Sequence, residues 1–136
     1  MMATLIDELK KDHAAIAALL DRVKDPKICD EEAHKILLTA QNSLIAHLRR
    51  EDVELYPALS EAAQHDAGLK RTLDFYARDM DGITRRAVEF FEKYSRRDSR
   101  IDREFAKAFG DVFAAISGRL RSEETTLYRE YEKLQL

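Results

Sequence analysis

The sequence predicts an all-α protein that forms an up-and-down antiparallel four-helix bundle. Three observations favour this fold class. Only 4 Gly and 2 Pro interrupt 136 residues, 36% of residues are charged while 45% are hydrophobic, and apolar residues recur at three- and four-residue steps in four segments. A chain of this length can bury one core, so residues 1–136 are interpreted as one domain.

The first predicted helix runs from about Thr4 to Val23. Its inward stripe consists of Leu5, Leu9, His13, Ile16, Leu20 and Val23. The helix should end at Asp25 and Pro26, because a residue before proline is disfavoured in helical backbone angles.

The second predicted helix begins near Cys29 or Asp30, where Glu31 and Glu32 suit the positive end of the helix dipole. Its stripe consists of Leu37, Ala40, Leu44, His47, Glu51, Leu55 and Leu59. Pro57 is expected to bend or divide this helix, because it lacks a backbone N–H.

The third predicted helix follows a polar turn at residues 65–68 and extends to about Tyr94. Its stripe consists of Leu73, Tyr76, Met80, Ile83, Ala87, Phe90 and Tyr94. A box at Ser99 to Asp102 is expected to start the fourth helix. The fourth stripe consists of Phe105, Phe109, Val112, Ile116, Arg119, Glu123 and Leu127.

Five residues in these stripes are polar or charged, although their spacing places them in the core. They are His13, His47, Glu51, Arg119 and Glu123. A buried charge without a partner is costly, so a folded protein pairs it, neutralises it or coordinates a metal with it. Two other histidines, His34 near a helix start and His65 in a turn, are expected to face solvent.

The two halves of the chain repeat. Asp12–Ile16 aligns with Asp79–Ile83, and His47–Tyr56 aligns with Arg119–Tyr128. The alignment pairs His13 with Met80, His47 with Arg119, and Glu51 with Glu123.

The first half carries a lone inward His13, the His47-x-x-x-Glu51 spacing and the aromatic–proline pair Tyr56-Pro57. In these features nearly the whole chain resembles the hemerythrin-like (HHE cation-binding) family. The resemblance implies a four-helix bundle with two irons bridged by carboxylates, used for oxygen binding, oxygen or iron sensing, or related redox roles.

The second half departs from the family pattern, because Met80 and Arg119 stand where the family has histidines. Neither is a suitable ligand for a hard or borderline divalent ion, and a guanidinium repels a second cation. A complete di-iron centre is therefore not expected, and the chain is interpreted as a degenerate member of the family.

Two interpretations of the polar cluster stay open. In one, a single divalent ion, zinc or iron, binds to His13, His47, Glu51 and Glu123. In the other, no metal binds and Arg119 pairs with Glu51 and Glu123 inside the core. The metal-free or weakly binding form is favoured as the resting state.

The leading functional hypothesis is a non-enzymatic regulatory, interaction or signalling domain with an incomplete metal site. The alternative is a mononuclear metal-binding sensor, and a di-iron oxygen-binding protein ranks third. No nucleophile with a paired base, phosphate-binding glycine loop or cofactor fingerprint is present, so no catalytic or cofactor-binding residue is predicted.

The net charge of −3 and the single cysteine, Cys29, limit the choice of partners and compartment. Nucleic-acid and membrane partners are not expected, because neither a basic face nor a long apolar run is present. A lone cysteine suits a reducing interior, so a cytoplasmic location is expected. A homodimer is compatible with the fold, and a protein signalling partner is inferred only by analogy.

Overall fold

A computed structural model describes residues 4–96 and 100–135 of the chain. Its helices are α1 (Leu5–Val23), α2 (Asp30–Arg50), α3 (Tyr56–Ala63), α4 (Ala67–Tyr94), α5 (Arg103–Ser122) and α6 (Tyr128–Leu134). The π-helical segments Glu51–Leu55 and Glu123–Leu127 connect α2 to α3 and α5 to α6, so each of these pairs is one long rod. With α1 and α4 these rods form a four-helix bundle, and the described ranges contain no strand, which confirms the predicted fold class.

Side-chain caps set three of the helix starts. Thr4 caps α1 by accepting a hydrogen bond from the Asp7 N–H, and the Asp7 side chain accepts one from the Thr4 N–H in return. Asp66 caps α4 and Asp102 caps α5 in the same way as Thr4. The fourth helix therefore begins immediately after the predicted box, of which Ser99 lies outside the described residues.

The two π-turns explain how the inward stripes stay inward. An α-helix has 3.6 residues per turn, so a stripe that advances by four residues drifts around the helix by roughly 40° at each step. His47, Glu51, Leu55 and Leu59 make three such steps, and all four residues are buried. In the π-turn, the Tyr56 N–H donates to the Glu51 carbonyl, so this turn contains more residues than an α-helical turn. The wider turn offsets the rotation that the four-residue steps accumulate.

The rod is divided next to Pro57, as predicted, but the proline is not the only cause. The second half forms the same π-turn, in which the Tyr128 N–H donates to the Glu123 carbonyl, with Arg129 where the first half has Pro57. The four-residue spacing of the stripe is common to both halves and accounts for both π-turns.

The apolar core consists of two clusters. The larger cluster includes Ile16, Leu37 and Ile116, and the smaller cluster includes Leu9 and Leu127. Because His13 lies between Leu9 and Ile16 on α1, the two clusters enclose a polar layer between them. Water is thereby kept from the charged groups of that layer.

One expectation about the histidines is wrong. His34 is buried, whereas His65 is exposed as predicted. The reason is that α2 packs against both α1 and α4, which widens its buried face to include Ala33 and His34 beside the predicted stripe. In the part of the chain that the structure describes, no helix combines the length and the apolar character needed to cross a membrane.

Candidate metal centre

The polar layer brings together the four residues that the sequence singled out. His13 comes from α1, His47 from α2, and Glu51 and Glu123 are the first residues of the two π-turns. Each is at most 4% exposed, and one ligand atom from each lies within 4.8 Å of the others. The π-turns thus place two carboxylates, one from each half of the chain, opposite two imidazoles.

The distances between these ligand atoms suit one ion. His13 Nε2 lies 3.0 Å from His47 Nε2 and 3.2 Å from Glu123 Oε1. His47 Nε2 lies 3.5 Å from Glu51 Oε2 and 3.8 Å from Glu123 Oε1. Ligand atoms about 2.0–2.1 Å from a tetrahedral zinc ion are themselves roughly 3.3 Å apart. The four side chains therefore fit a single four-coordinate ion with little rearrangement.

Two buried atoms of the cluster have no hydrogen-bond partner among residues 4–96 and 100–135. They are His13 Nδ1 and Glu51 Oε1. Buried polar atoms are nearly always satisfied, so such atoms in a cluster of two imidazoles and two carboxylates are consistent with a ligand-binding role. This donor set is one that zinc and iron accept.

Tyr128 is a member of the site that the sequence analysis missed. Its hydroxyl lies 2.8 Å from His13 Nε2 and donates a hydrogen bond of 2.8 Å to Glu51 Oε2. Burial raises the pKa of Tyr128 far above its ordinary value, and the charges of Glu123 and Glu51 raise it further. The phenol therefore stays protonated and holds Glu51 in place as a donor.

Asp12 orients His47. Its Oδ2 lies 3.0 Å from His47 Nδ1, on the opposite side of the ring from the cluster. A carboxylate in this position fixes the ring orientation of a metal-ligating histidine and increases its basicity. Asp12 precedes His13 in the repeat, which is the only sequence signal that could have indicated it.

Arg119 lies inside the bundle next to the cluster, as predicted. Its Nε donates to Glu123 Oε2 at 3.0 Å, and one terminal nitrogen donates to Asp79 Oδ2 at 3.1 Å. The predicted pairing with Glu123 is thus present. Glu51 is not among the partners recorded for Arg119 in the described residues, because Glu51 faces His47 and Tyr128 instead.

The rest of the guanidinium is also engaged. It donates to the carbonyl of Tyr76 at 2.9 Å and to the hydroxyl of Tyr56 at 3.1 Å, and it lies 4.5 Å from the centre of the Tyr76 ring. Burial lowers the pKa of Arg119, but the charge of Glu123 and the hydrogen bonds with Glu123 and Asp79 act together with Tyr56 to raise it overall. The guanidinium is therefore a permanent cation in the core.

The repeat relates the two sides of the polar layer. Asp79 contacts Arg119 as Asp12 contacts His47, and the Tyr56 hydroxyl reaches Arg119 from the first half as Tyr128 reaches Glu51 from the second. Arg119 thus occupies the second-half position equivalent to that of His47, a candidate ligand.

Met80, the residue equivalent to His13, is partly buried. It lines an apolar cavity of about 60 Å³ between α2 and α4 that also reaches Arg119 and Glu123. A flexible thioether in this position fills apolar space.

The pKa values of the two carboxylates are shifted in opposite directions. Burial raises the pKa of Glu51 above its ordinary value. Burial would also raise the pKa of Glu123, but hydrogen bonds with His13 and His47 and the charge of Arg119 outweigh it and hold the pKa well below its ordinary range. Glu123 is therefore ionised and faces both sides, with Oε1 toward the histidines and Oε2 toward Arg119.

His47 gives the metal-free protein a predictable pH dependence. Burial lowers its pKa, but hydrogen bonds with Glu123 and Glu51 outweigh burial and raise it from 6.5 to about 10. A raised folded-state pKa contributes stability that is fully present below pH 6.5 and is lost as the pH rises through 10. We expect the free energy of unfolding, measured with urea in the presence of a chelator, to fall over this pH range. His47→Gln should flatten this fall, and an equal fall in that variant would assign it to other groups.

These observations define a class of protein, a helical bundle whose polar core gathers imidazole and carboxylate groups that could bind a cation. Residues 4–131 match the family model described as the hemerythrin HHE cation-binding domain, so the chain belongs to this family. Comparison with curated proteins and with solved structures gave no match to the chain.

Proposed function

We propose that this protein binds one divalent metal ion, zinc or iron, and acts as a non-enzymatic, metal-responsive regulatory domain. The ligands in this proposal are His13, His47, Glu51 and Glu123. The observation that carries it is the convergence of these four buried side chains, with ligand atoms within 4.8 Å of one another, in a member of a cation-binding family. When bound, the ion would supply a fixed positive charge that joins α1, α2 and the two π-turns.

The surrounding residues support a single ion rather than two. Arg119 already places a cation beside Glu123 Oε2, the oxygen that faces away from the histidines. Its hydrogen bonds with Glu123 and Asp79 leave no room for a second metal at this oxygen. On the histidine side of the polar layer, Asp12 holds His47 and Tyr128 holds Glu51. The polar layer would therefore resemble a di-iron site in which the guanidinium of Arg119 takes the place of one ion.

The metal-free state is also chemically reasonable, which is what a responsive domain requires. The ionised Glu123 faces both Arg119 and His47, whose raised pKa lets it carry a proton, so charges within the cluster offset one another. A metal-free interaction domain is accordingly the second candidate function, and the fully engaged Arg119 is the observation that favours it.

The metal content of untagged protein, purified without chelator, tests the proposal. We expect one zinc or iron ion per chain by elemental analysis and one site by calorimetry. His13→Ala should weaken binding by more than the roughly 10–100-fold that is typical of losing an outer-shell partner, because it removes a ligand. His65→Ala, at an exposed histidine, is the matched control and should leave binding unchanged.

Two results would contradict the proposal. A folded, unaltered protein that binds neither zinc nor iron would support the metal-free interaction domain instead. Two ions per chain would overturn the substitution of a metal by Arg119.

The regulatory output, a protein signalling partner, a homodimer and a cytoplasmic location belong to the same proposal. Partly exposed apolar side chains on α2 and α4, Ile45 and Val88, support an interaction surface. The single, exposed Cys29 supports a reducing compartment.

A further inference from the structure

His13 has an unsatisfied nitrogen. Its Nδ1 is buried and has no hydrogen-bond partner in the described part of the chain, while its Nε2 faces the cluster. The carboxylate of Glu124 lies nearby, with Oε2 3.6 Å from Nδ1. This distance is too long for a hydrogen bond, so the two groups are neighbours without being bonded.

A histidine that binds a metal through one nitrogen carries a proton on the other and normally donates it to a carboxylate, a carbonyl or a water. His47 already has such a partner in Asp12. Among the described residues, Glu124 supplies the carboxylate within 4 Å of His13 Nδ1.

We propose that Glu124 is a positioning residue for the metal site: when an ion binds His13 Nε2, Glu124 accepts the hydrogen bond from His13 Nδ1–H. This inference rests on the proposed function, because it assigns a role toward the ion that the four ligands would hold. Glu124 would then hold His13 as Asp12 holds His47, without being a ligand itself.

The surroundings of Glu124 allow the small movement that the proposal requires. Glu124 and His13 both line an open groove of about 320 Å³ between α1 and α5. The Glu124 side chain is 35% exposed, and no hydrogen bond to another described residue holds it elsewhere. A shift of less than about 1 Å brings the oxygen within ordinary hydrogen-bond distance of Nδ1.

The repeat provides a matched control. Glu124 follows Glu123 as Asp52 follows Glu51, so Asp52 is the equivalent residue of the first half. The residue equivalent to His13 on that side is Met80, which has no proton to donate. Asp52 is exposed, and its substitution should not affect an ion held by the histidines.

The test compares zinc dissociation constants, measured by competition with a chelating indicator, for the unaltered protein, Glu124→Ala, Glu124→Gln and Asp52→Ala. We expect Glu124→Ala to weaken zinc binding about 10–100-fold, as is typical for loss of an outer-shell partner. Glu124→Gln should lose less, because its amide oxygen still accepts a hydrogen bond. Asp52→Ala should stay within about twofold of the unaltered protein, as expected for a surface substitution.

A spectroscopic measurement separates positioning from a general structural effect. In zinc-loaded protein labelled with ¹⁵N-histidine, the Nδ1–H proton of His13 should exchange slowly with water, and in Glu124→Ala it should exchange rapidly. The Nδ1–H proton of His47, held by Asp12, should be unaffected in that variant. If Glu124→Ala does not fold, Glu124→Met, which keeps the length of the side chain but cannot replace the carboxylate as an acceptor, is used in both measurements.

The outcomes distinguish the two proposals. Equal zinc affinity in Glu124→Ala and Asp52→Ala, or slow exchange at His13 that persists in Glu124→Ala, overturns the role of Glu124 alone. Failure of the unaltered protein to bind zinc or iron overturns the proposed function, and with it the role of Glu124.

Discussion

The double substitution Met80→His with Arg119→His is expected to raise the metal stoichiometry from one ion to two ions per chain. Arg119 occupies the position equivalent to His47, and Asp79 already lies 3.1 Å from it, as Asp12 lies beside His47. Removing the guanidinium also frees Glu123 Oε2, which now binds Arg119. The cavity next to Met80 provides space for an imidazole on α4.

Elemental analysis after reconstitution with iron or zinc measures this outcome, with circular dichroism to verify that the variant folds. Arg121→His is the control, because Arg121 is an exposed arginine on the same helix and should leave one ion per chain. If the double variant folds and still binds one ion, the carboxylates of the second half, Glu123 and Asp79, are not arranged to receive a metal.

Arg119→Met is expected to destabilise the metal-free protein by about 3–5 kcal/mol, which is typical when one partner of a buried ion pair is removed. Methionine fills a similar volume but donates no hydrogen bond. Glu123 Oε2, the Tyr76 carbonyl and the Tyr56 hydroxyl would each lose a buried partner. Asp79 contributes little to this loss, because it is 42% exposed and water can replace its contact.

Urea unfolding in the presence of a chelator measures this change. Arg121→Met should alter the free energy of unfolding by no more than about 0.5 kcal/mol. Adding Glu123→Gln to Arg119→Met should recover part of the loss, since the unpaired buried charge is removed. A loss below about 1 kcal/mol in Arg119→Met would show that the guanidinium is not needed to balance the carboxylates.

Residue spacing alone was sufficient to predict the helices and five members of the polar layer, which are His13, His47, Glu51, Arg119 and Glu123. Every residue of the predicted second and fourth stripes is buried, including the charged Glu51, Arg119 and Glu123. Periodicity predicts these positions because a side chain three or four residues from a buried one shares its face of the helix. Periodicity therefore predicts that a charged residue is buried, but it does not predict which groups that residue contacts.

The contacts that the sequence analysis missed all run between rods. Tyr128 reaches Glu51, and Asp79 rather than Glu51 pairs with Arg119, because the helices are offset along their axes by amounts that spacing within one helix does not specify. The π-turns were missed for a different reason. Three consecutive four-residue steps were present in the stripe from His47 to Leu59, but a proline in the same region offered a simpler explanation of a helix break.

The two tyrosine hydroxyls have a consequence for how the chain folds. Tyr128, from the end of the second half, satisfies Glu51 in the first, and Tyr56, from the end of the first half, satisfies Arg119 in the second. Neither half can therefore form all the hydrogen bonds of its buried polar groups while the other half is unfolded. The two helix pairs depend on each other energetically, so the bundle should unfold in one cooperative, two-state transition with no stable half-folded intermediate.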